Sequence, residues 1–135
     1  MALNLEIVTP EQRVLAVEAD EVRLPGLEGG FGVRPGHTPL VAALAAGELV
    51  YLTGGGSTRY AVGEGFAEVS NDHVRVLVEE AVRADSIDAA RAASEAGELR
   101  KKLAALSPDD PSYETQKALA ERAQARADVA AAGRH

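Results

Sequence analysis

Apolar and polar residues alternate along the first part of the chain. Leu3, Leu5 and Ile7 alternate with Asn4 and Glu6. This period of two predicts a β-strand with one buried face. Similar short apolar segments recur up to position 78, separated by turns rich in Gly, Pro, Asn and Asp. The further predicted strands are 14–18, 21–24, 31–33, 48–52, 58–62, 65–70 and 74–78.

Residues 40–45 fit two interpretations. Their alanine content favours a helix, whereas their short length and the flanking Pro39 and Gly47 favour a strand. With either interpretation, eight or more short strands separated by frequent turns predict an antiparallel β-sandwich or a flattened barrel.

The composition changes sharply at residues 84–88. Eleven of the thirteen Gly precede this point, and fifteen Ala lie between position 89 and the end. Asp85 or Ser86 is the expected N-cap of a first helix. Apolar residues then recur at alternating spacings of three and four, which predicts a helix with the stripe Ala89, Ala92, Ala96, Leu99, Leu103 and Leu106.

Residues 107–111 break this helix. Asp110 and Pro111 are the expected N-cap and first position of a second helix that runs towards Ala132. One side of that helix is expected to carry Leu119, Ala123, Ala127 and Ala130. The short break predicts an antiparallel helical hairpin. The chain is thus divided into an N-terminal β-sandwich, 1–84, and a C-terminal two-helix tail, 85–135.

The predicted tail has a weak basis for stability of its own. Alanine side chains bury little apolar area, and burial is worth roughly 25 cal/mol per Å². Ordering each residue costs roughly 1–2 kcal/mol of backbone entropy. We therefore expect the hairpin contact to be marginal, so that the two helices can separate and dock elsewhere.

Charge and composition exclude several classes of function. The formal net charge is −7, and residues 1–84 hold 12 acids against 6 bases. An acidic body disfavours a nucleic-acid partner. Because no apolar run approaches the roughly 20 residues of a membrane-spanning helix, no direct insertion into a bilayer is expected. The chain has no Cys, which excludes disulfides and cysteine-based metal sites.

No residue pattern predicts a catalytic or metal site. His37, His73 and His135 are far apart and have no metal-ligand spacing. No glycine-rich segment contains the Lys of a phosphate-binding loop. Glu79 and Glu80 are expected at a strand end, where adjacent side chains point to opposite faces and form no catalytic pair. The sequence therefore argues against an enzyme in its own right.

Arginines of the two predicted helices are expected to converge. An antiparallel hairpin places Arg91 level with Arg126, and it likewise places Glu95 level with Arg122. Because guanidinium groups suit phosphate, a candidate nucleotide site consists of Asp88, Arg91, Arg122 and Arg126. In the alternative interpretation, ordinary helix ion pairs neutralise these arginines, with the partners Asp88, Glu95 and Asp128.

Three motifs resemble those of one protein family. Residues 30–41 have the sequence GFGVRPGHTPLV, residues 63–69 have GEGFAEV, and residues 87–92 have IDAARA. Their order, their spacing and the change from strands to helices resemble the epsilon subunit of bacterial F-type ATP synthase. The resemblance covers essentially the whole chain.

This resemblance implies a sandwich of about ten strands followed by a helical hairpin. It implies a non-catalytic rotor subunit that binds the gamma subunit and the c-ring and couples proton flow to ATP synthesis. The extended tail would inhibit ATP hydrolysis by contacting an acidic segment of the beta subunits in the alpha/beta catalytic head. The implied location is the cytoplasmic face of a bacterial inner membrane.

The same resemblance implies two groups of contact residues. Those expected at the rotor and c-ring are Glu28, Gly30, Arg34 and His37. Those expected at the catalytic head are the basic residues Arg100, Lys101, Lys102, Lys117, Arg122 and Arg126.

In some members of that family the compact hairpin binds ATP. The positions that match the motif here are Asp88, Arg91, Arg122 and Arg126. Two positions depart from it, because Val82 replaces an acid and Glu98 replaces a further Arg. We expect no required cofactor, with regulatory ATP as a hypothesis.

Two other functions fit the residues without the resemblance. One is a free-standing β-sandwich adaptor whose hairpin binds an unrelated helix groove. The other is a nucleotide-sensing module that works alone, which requires the arginine cluster to be a ligand site.

Overall fold

The computed structural model describes residues 2–132, so His135 lies outside the described part. Within it, ten strands precede two α-helices, which confirms the predicted sandwich and C-terminal helical pair. The strands are β1 (Leu3–Val8), β2 (Arg13–Ala19), β3 (Glu21–Leu24), β4 (Phe31–Val33), β5 (Leu40–Leu44), β6 (Gly47–Thr53), β7 (Gly56–Val62), β8 (Gly65–Ser70), β9 (His73–Val78) and β10 (Ala81–Arg83). The helices are α1 (Ala89–Ala104) and α2 (Tyr113–Ala132).

The strands form two five-stranded sheets. Sheet 1 has the order β2-β1-β9-β8-β5, and sheet 2 has the order β10-β7-β6-β3-β4. The neighbouring strands pair antiparallel except for β1 and β9, which are parallel. The predicted antiparallel sandwich therefore contains one parallel pair. Strand β1 lies between β2, which is antiparallel to it, and the later strand β9, which is parallel to it.

The period-two pattern places large apolar side chains between the sheets. Leu3, Leu5 and Ile7 of β1 are at most 1% exposed. In the other sheet, Leu49 of β6 is fully buried. The intervening Asn4 faces outward and is exposed. This shared core joins the two sheets.

Residues 40–45, for which two interpretations were open, form a strand. β5 spans Leu40–Leu44 and pairs with β8, from Leu40 opposite Val69 to Leu44 opposite Gly65. Gly65 is required here by close approach, since a Cβ atom would lie 1.9 Å from the carbonyl oxygen of Leu77.

The first helix begins later than predicted. Asp88, and not Asp85 or Ser86, is the N-cap of α1, with its carboxylate accepting a hydrogen bond of 3.1 Å from the amide of Arg91. Residues Ala84–Ser86 form a separate 3-10 turn, and Ile87 is extended with ψ of 125°. An extended residue between the turn and α1 prevents the earlier side chains from reaching the helix amides.

The second helix also begins later than predicted. Asp110 does accept hydrogen bonds, at 2.8 Å from the amide and 2.7 Å from the hydroxyl of Ser112. They close a turn that contains Pro111, and α2 starts only at Tyr113.

The tail forms a layer on the outer face of sheet 2. Helix α2 packs against α1 on one side and against β6 and β7 on the other. Leu119 is 38% exposed, so the predicted single apolar side of α2 is wrong. The helix is buried on two sides through small residues, namely Ala120, Ala123, Ala125, Val129 and Ala130.

Candidate functional site

Two acidic turns of the sandwich lie side by side beneath α2. The amide of Gly63 donates to the carbonyl of Glu80 at 2.9 Å, and the amide of Glu79 donates to the carbonyl of Glu64 at 3.1 Å. These backbone hydrogen bonds join the β7–β8 turn to the β9–β10 turn. They bring the carboxylates of Glu64 and Glu80 to one corner of the sandwich.

Arg122 of α2 binds Glu64 through two hydrogen bonds. Its Nε and Nη2 atoms lie 2.8 and 2.7 Å from the two carboxylate oxygens, a bidentate geometry that combines strength with directional specificity. The Arg122 side chain is 22% exposed. Hydrogen bonding from Arg122 lowers the pKa of Glu64, against partial burial, and the Glu64 carboxylate raises the pKa of Arg122.

Arg126, one helical turn later, connects three parts of the molecule. It donates a hydrogen bond to Glu80 of the sandwich, and its Nη2 atom lies 3.8 Å from a carboxylate oxygen of Glu95 on α1. The Arg126 and Glu80 side chains are only 23% and 29% exposed. The sandwich, α1 and α2 therefore meet at Arg126.

A third arginine reaches the tail from the sandwich. Arg59 of β7 donates to Glu48 of β6 at 2.8 Å through Nε and to the backbone carbonyl of Val129 at 3.0 Å through Nη2. This side chain is 20% exposed. It ties the last turns of α2 to sheet 2.

The predicted arginine cluster is thus divided. Arg91 pairs with Glu95 at 3.1 Å and is 79% exposed, and Arg126 reaches the same Glu95. The prediction that Glu95 faces Arg122 across the hairpin is wrong, because the Arg122 side chain binds Glu64 in the sandwich.

Of the three tail carboxylates expected to neutralise the arginines, Glu95 does so. Asp88 instead caps α1, and Asp128 accepts a hydrogen bond of 2.8 Å from Gln124. The main partners, Glu64 and Glu80, were missed. Glu79 and Glu80 were expected at a strand end, and β9 does end at Val78, so both acids lie in the turn that follows it.

The nucleotide-binding residues remain a prediction. Arg122 and Arg126 each bind a carboxylate of the sandwich, so a phosphate group at the same guanidinium nitrogens would compete with Glu64 or Glu80. Elsewhere, Val82 lies in β10 and Glu98 is exposed on α1. Neither offers the charge of the ATP-binding motif.

A row of apolar side chains, two of them exposed and three half-buried, crosses the outer face of sheet 1. Val8 of β1 is opposite Leu77 of β9, Leu77 is opposite Phe66 of β8, and Phe66 is opposite Ala43 of β5. Phe66 is 55% exposed, and Val41, two residues before Ala43, is 70% exposed. We call these five residues the apolar row.

The loop residues predicted to contact a rotor lie on either side of β4. Glu28 and Gly30 are exposed before this strand, and Arg34 and His37 follow it. Arg34 is held by Glu21 at 2.9 Å. The His37 ring lies 2.7 Å from the Thr38 carbonyl, which orients the ring. Their contacts with a partner remain predictions.

Of the predicted basic contact residues, Arg122 and Arg126 bind the sandwich, whereas those in the last part of α1 lie towards the turn of the hairpin. Arg100 donates a hydrogen bond to Gln124 across the two helices. Lys101 and Lys102 are exposed in the last turn of α1. Across residues 2–132, no group of His, Cys, Asp and Glu could hold a metal ion. In the same part, neither helix has the length and apolarity needed to cross a membrane.

Comparison with known proteins identifies the family. The sequence model of the "ATP synthase, Delta/Epsilon chain, beta-sandwich domain" family matches residues 2–84. The ATP synthase epsilon chain of Anaeromyxobacter sp. strain K is 47% identical over 130 residues, which are 96% of this chain and 98% of that one. The epsilon chain of Geobacter metallireducens is 46% identical over 95% of this chain and 93% of its own length.

Solved structures agree with this result. A chain of the Euglena gracilis mitochondrial ATP synthase, from a structure of OSCP, F1 and c-ring, matches with a TM-score of 0.79 at 26% identity, over 96% of this chain and 81% of that chain. A chain from the Tetrahymena thermophila mitochondrial ATP synthase central stalk and c-ring has a TM-score of 0.57 at 10% identity, over 100% and 98%, which shows the fold alone. The chain belongs to the family of ATP synthase epsilon chains.

Proposed function

We propose that this epsilon chain is a non-catalytic rotor subunit whose sandwich binds the central stalk and whose tail regulates ATP hydrolysis. The observation that carries the proposal is the difference between the two outer faces of the sandwich. Helix α2 covers sheet 2 through small residues and ion pairs, whereas sheet 1 bears the apolar row, in which Phe66 and Val41 are exposed. One face is thus available to a partner, and the other holds a detachable element.

The apolar row is the proposed contact with the gamma subunit. Contiguous exposed apolar surface is typical of protein interfaces. Phe66, in the middle of the row, is an aromatic side chain of the kind that contributes strongly to binding. The Euglena structure, which contains F1 and the c-ring, supports an assembly of this type.

The loops around β4 are the proposed contact with the c-ring. They carry the predicted residues Glu28, Gly30, Arg34 and His37. The complex in this proposal lies on a bacterial inner membrane, with the subunit on its cytoplasmic face. The subunit needs no cofactor, and ATP binding to the tail arginines is a secondary hypothesis. Calorimetry with millimolar MgATP tests that hypothesis, and it is rejected if no heat is detected.

The tail in this proposal leaves sheet 2 and extends along the stalk to inhibit hydrolysis. Arg100, Lys101 and Lys102 then contact an acidic segment of the beta subunits in the alpha/beta head. Only small side chains of α2 are buried in the docked position, so apolar burial opposes this release weakly.

Two measurements on the assembled complex test the proposal. Removal of residues 86–135 should raise the rate of ATP hydrolysis, and an unchanged rate would contradict the regulatory role. Phe66→Glu should weaken capture of the gamma subunit by at least about tenfold. Glu68→Gln, on the same face of β8, is the matched control. Equal capture by the two variants would contradict docking through the apolar row.

A further inference from the structure

We propose that Glu64 and Glu80 hold the tail on the sandwich without a nucleotide, by occupying the guanidinium groups of Arg122 and Arg126. We call these four residues the carboxylate latch. The inference rests on the proposed function only in assigning regulation to release of the tail. The latch itself is a property of the isolated chain.

The latch has matched spacing on its two sides. Arg122 and Arg126 are four residues apart in α2, so their side chains lie on one face about 6 Å apart along the axis. Glu64 and Glu80 come from two turns that are joined by the backbone hydrogen bonds of Gly63 and Glu79. Each arginine meets one carboxylate of the sandwich. A shift of α2 by one turn would place one arginine opposite the other arginine's carboxylate and would leave the second carboxylate without a partner.

Electrostatics favour the docked arrangement of all four charges over the two arginines or the two carboxylates by themselves. Two arginines at this helix spacing repel each other, and two neighbouring carboxylates do the same. In the docked tail, each charge instead lies beside one of opposite sign. Arg122, Arg126 and Glu80 are each less than a third exposed. Removal of one partner therefore leaves a partly buried charge without compensation.

The apolar contact of α2 is too unspecific to set its position alone. Its buried residues are four alanines and Val129, and similar small surfaces recur along the helix. The bidentate geometry of Arg122 with Glu64 is directional. The latch thus determines where the tail docks as well as how firmly.

The latch also limits what a nucleotide can do. A polyphosphate that binds the same guanidinium nitrogens of Arg122 and Arg126 competes with Glu64 and Glu80 for them. It therefore exchanges one anionic partner for another. We expect MgATP to leave the docking of the wild-type tail no stronger than it was.

Hydrogen exchange on the isolated full-length subunit, without nucleotide, tests the latch. In the double variant Glu64→Gln and Glu80→Gln, amides of α2 should exchange about tenfold to a hundredfold faster than in the wild type. Amides of β8 and β9 should be unchanged. Glu68→Gln is the control, because it removes one carboxylate from the outer face of the opposite sheet.

The reverse substitutions keep the test decisive if the first variant is unstable. Arg122→Gln with Arg126→Gln should accelerate the same α2 amides from the tail side. Combining Glu64→Arg with Arg122→Glu should restore protection to within about threefold of the wild type, since the bidentate pair is rebuilt with inverted charge. Neither Glu64→Arg alone nor Arg122→Glu alone should give this protection.

Three results would overturn the latch. One is α2 exchange within about twofold of the wild type in both neutralised variants. Another is a charge exchange that restores no protection. The third is a wild-type tail that becomes protected only when MgATP is added. The latch could pass these tests while removal of the tail leaves the rate of ATP hydrolysis by the complex unchanged. That result would refute the proposed regulation and leave the latch intact.

Discussion

The sandwich and the tail are held by different forces. The sandwich buries large side chains between its sheets, including Leu49, which is fully buried, and Tyr51 and Tyr60, which are 7% and 6% exposed. The tail contributes mainly alanines to its contact and adds ion pairs at its edge. Burial of large apolar groups makes a permanent body. We expect alanine contacts with directional charge pairs to make a position that a helix can leave and regain.

The connection between these regions fits the same distinction. The 3-10 turn Ala84–Ser86 and the extended residue Ile87 separate β10 from α1. No described residue of that turn is buried. The segment can therefore change its backbone angles without disturbing the core of the sandwich.

Leu49→Ala should have the largest effect among these tests of the comparison. Loss of a fully buried leucine should lower the free energy of unfolding by about 2–5 kcal/mol. Urea unfolding followed by tyrosine fluorescence measures it, since Tyr51 and Tyr60 lie in the core. Val41→Ala, at a site 70% exposed, is the control and should change little. Equal effects would mean that the core does not dominate the stability of the sandwich.

Gly65→Ala should have the next largest effect. The added methyl group would lie 1.9 Å from the Leu77 carbonyl oxygen and 2.8 Å from the Val78 Cα atom, which forces strands β8 and β9 apart. We expect a loss of about 1–3 kcal/mol in the free energy of unfolding. Gly56→Ala meets its nearest atom at 3.6 Å and serves as the control. Thermal stability equal to that of the control would contradict the close approach.

Asp88→Ala should weaken the tail and leave the sandwich unchanged. Loss of the N-cap of α1 should cost about 1 kcal/mol of helix stability. Faster hydrogen exchange at the first amides of α1 would measure this cost. Asp85→Ala is the control, because Asp85 lies in the preceding 3-10 turn. A larger effect from Asp85→Ala would show that the helix starts where its sequence first suggested.

Acidification should have the smallest effect, confined to docking of the tail. Arg122 lowers the pKa of Glu64 from its ordinary 4.5. Its contribution to docking is therefore fully present above that ordinary value and is lost as the pH falls through the lowered pKa. The carboxylate faces Arg122 of α2, with Glu79 and Glu80 close to the same guanidinium. Glu64 is 41% exposed, so solvent screening keeps the change small.

A distance measurement can follow this change directly. The chain has no Cys, so Ser70→Cys in the sandwich and Ser94→Cys in the tail give two unique sites for spin labels. Both serines are exposed. The docked distance should lose population as the pH falls through the lowered pKa of Glu64, and Glu64→Gln should flatten this response. If Glu64→Gln leaves the pH response unchanged, the response belongs to another titratable group.

Much of the sandwich could be predicted because its information is local. The alternation at Leu3, Leu5 and Ile7 is sufficient to identify β1 and its buried face. The parallel pairing of β1 with β9 could not be predicted, because it joins residues such as Asn4 and His73 that are distant in the chain. No local pattern distinguishes it from an antiparallel pair.

The site was predictable only in part. Arg122 and Arg126 were recognised as a pair from their helix spacing, but their partners lie 58 and 46 residues away. Glu64 lies between two glycines of a hairpin turn, a position whose local sequence gives no sign of an ion pair. Glu80 lies in the turn after β9, and the sequence does not indicate which way its side chain points. Such partners are determined by how the helix packs on the sheet, which helix periodicity does not contain.

The central claim is that the tail can leave the sandwich while the sandwich stays folded. Native-state hydrogen exchange on the wild-type subunit tests it most directly. We predict that the amides of α1 and α2 exchange at least about a hundredfold faster than those of β1 and β9, through an opening that leaves the sandwich protected. Equal protection of the helices and these central strands would contradict the claim, because the two regions would then unfold only together.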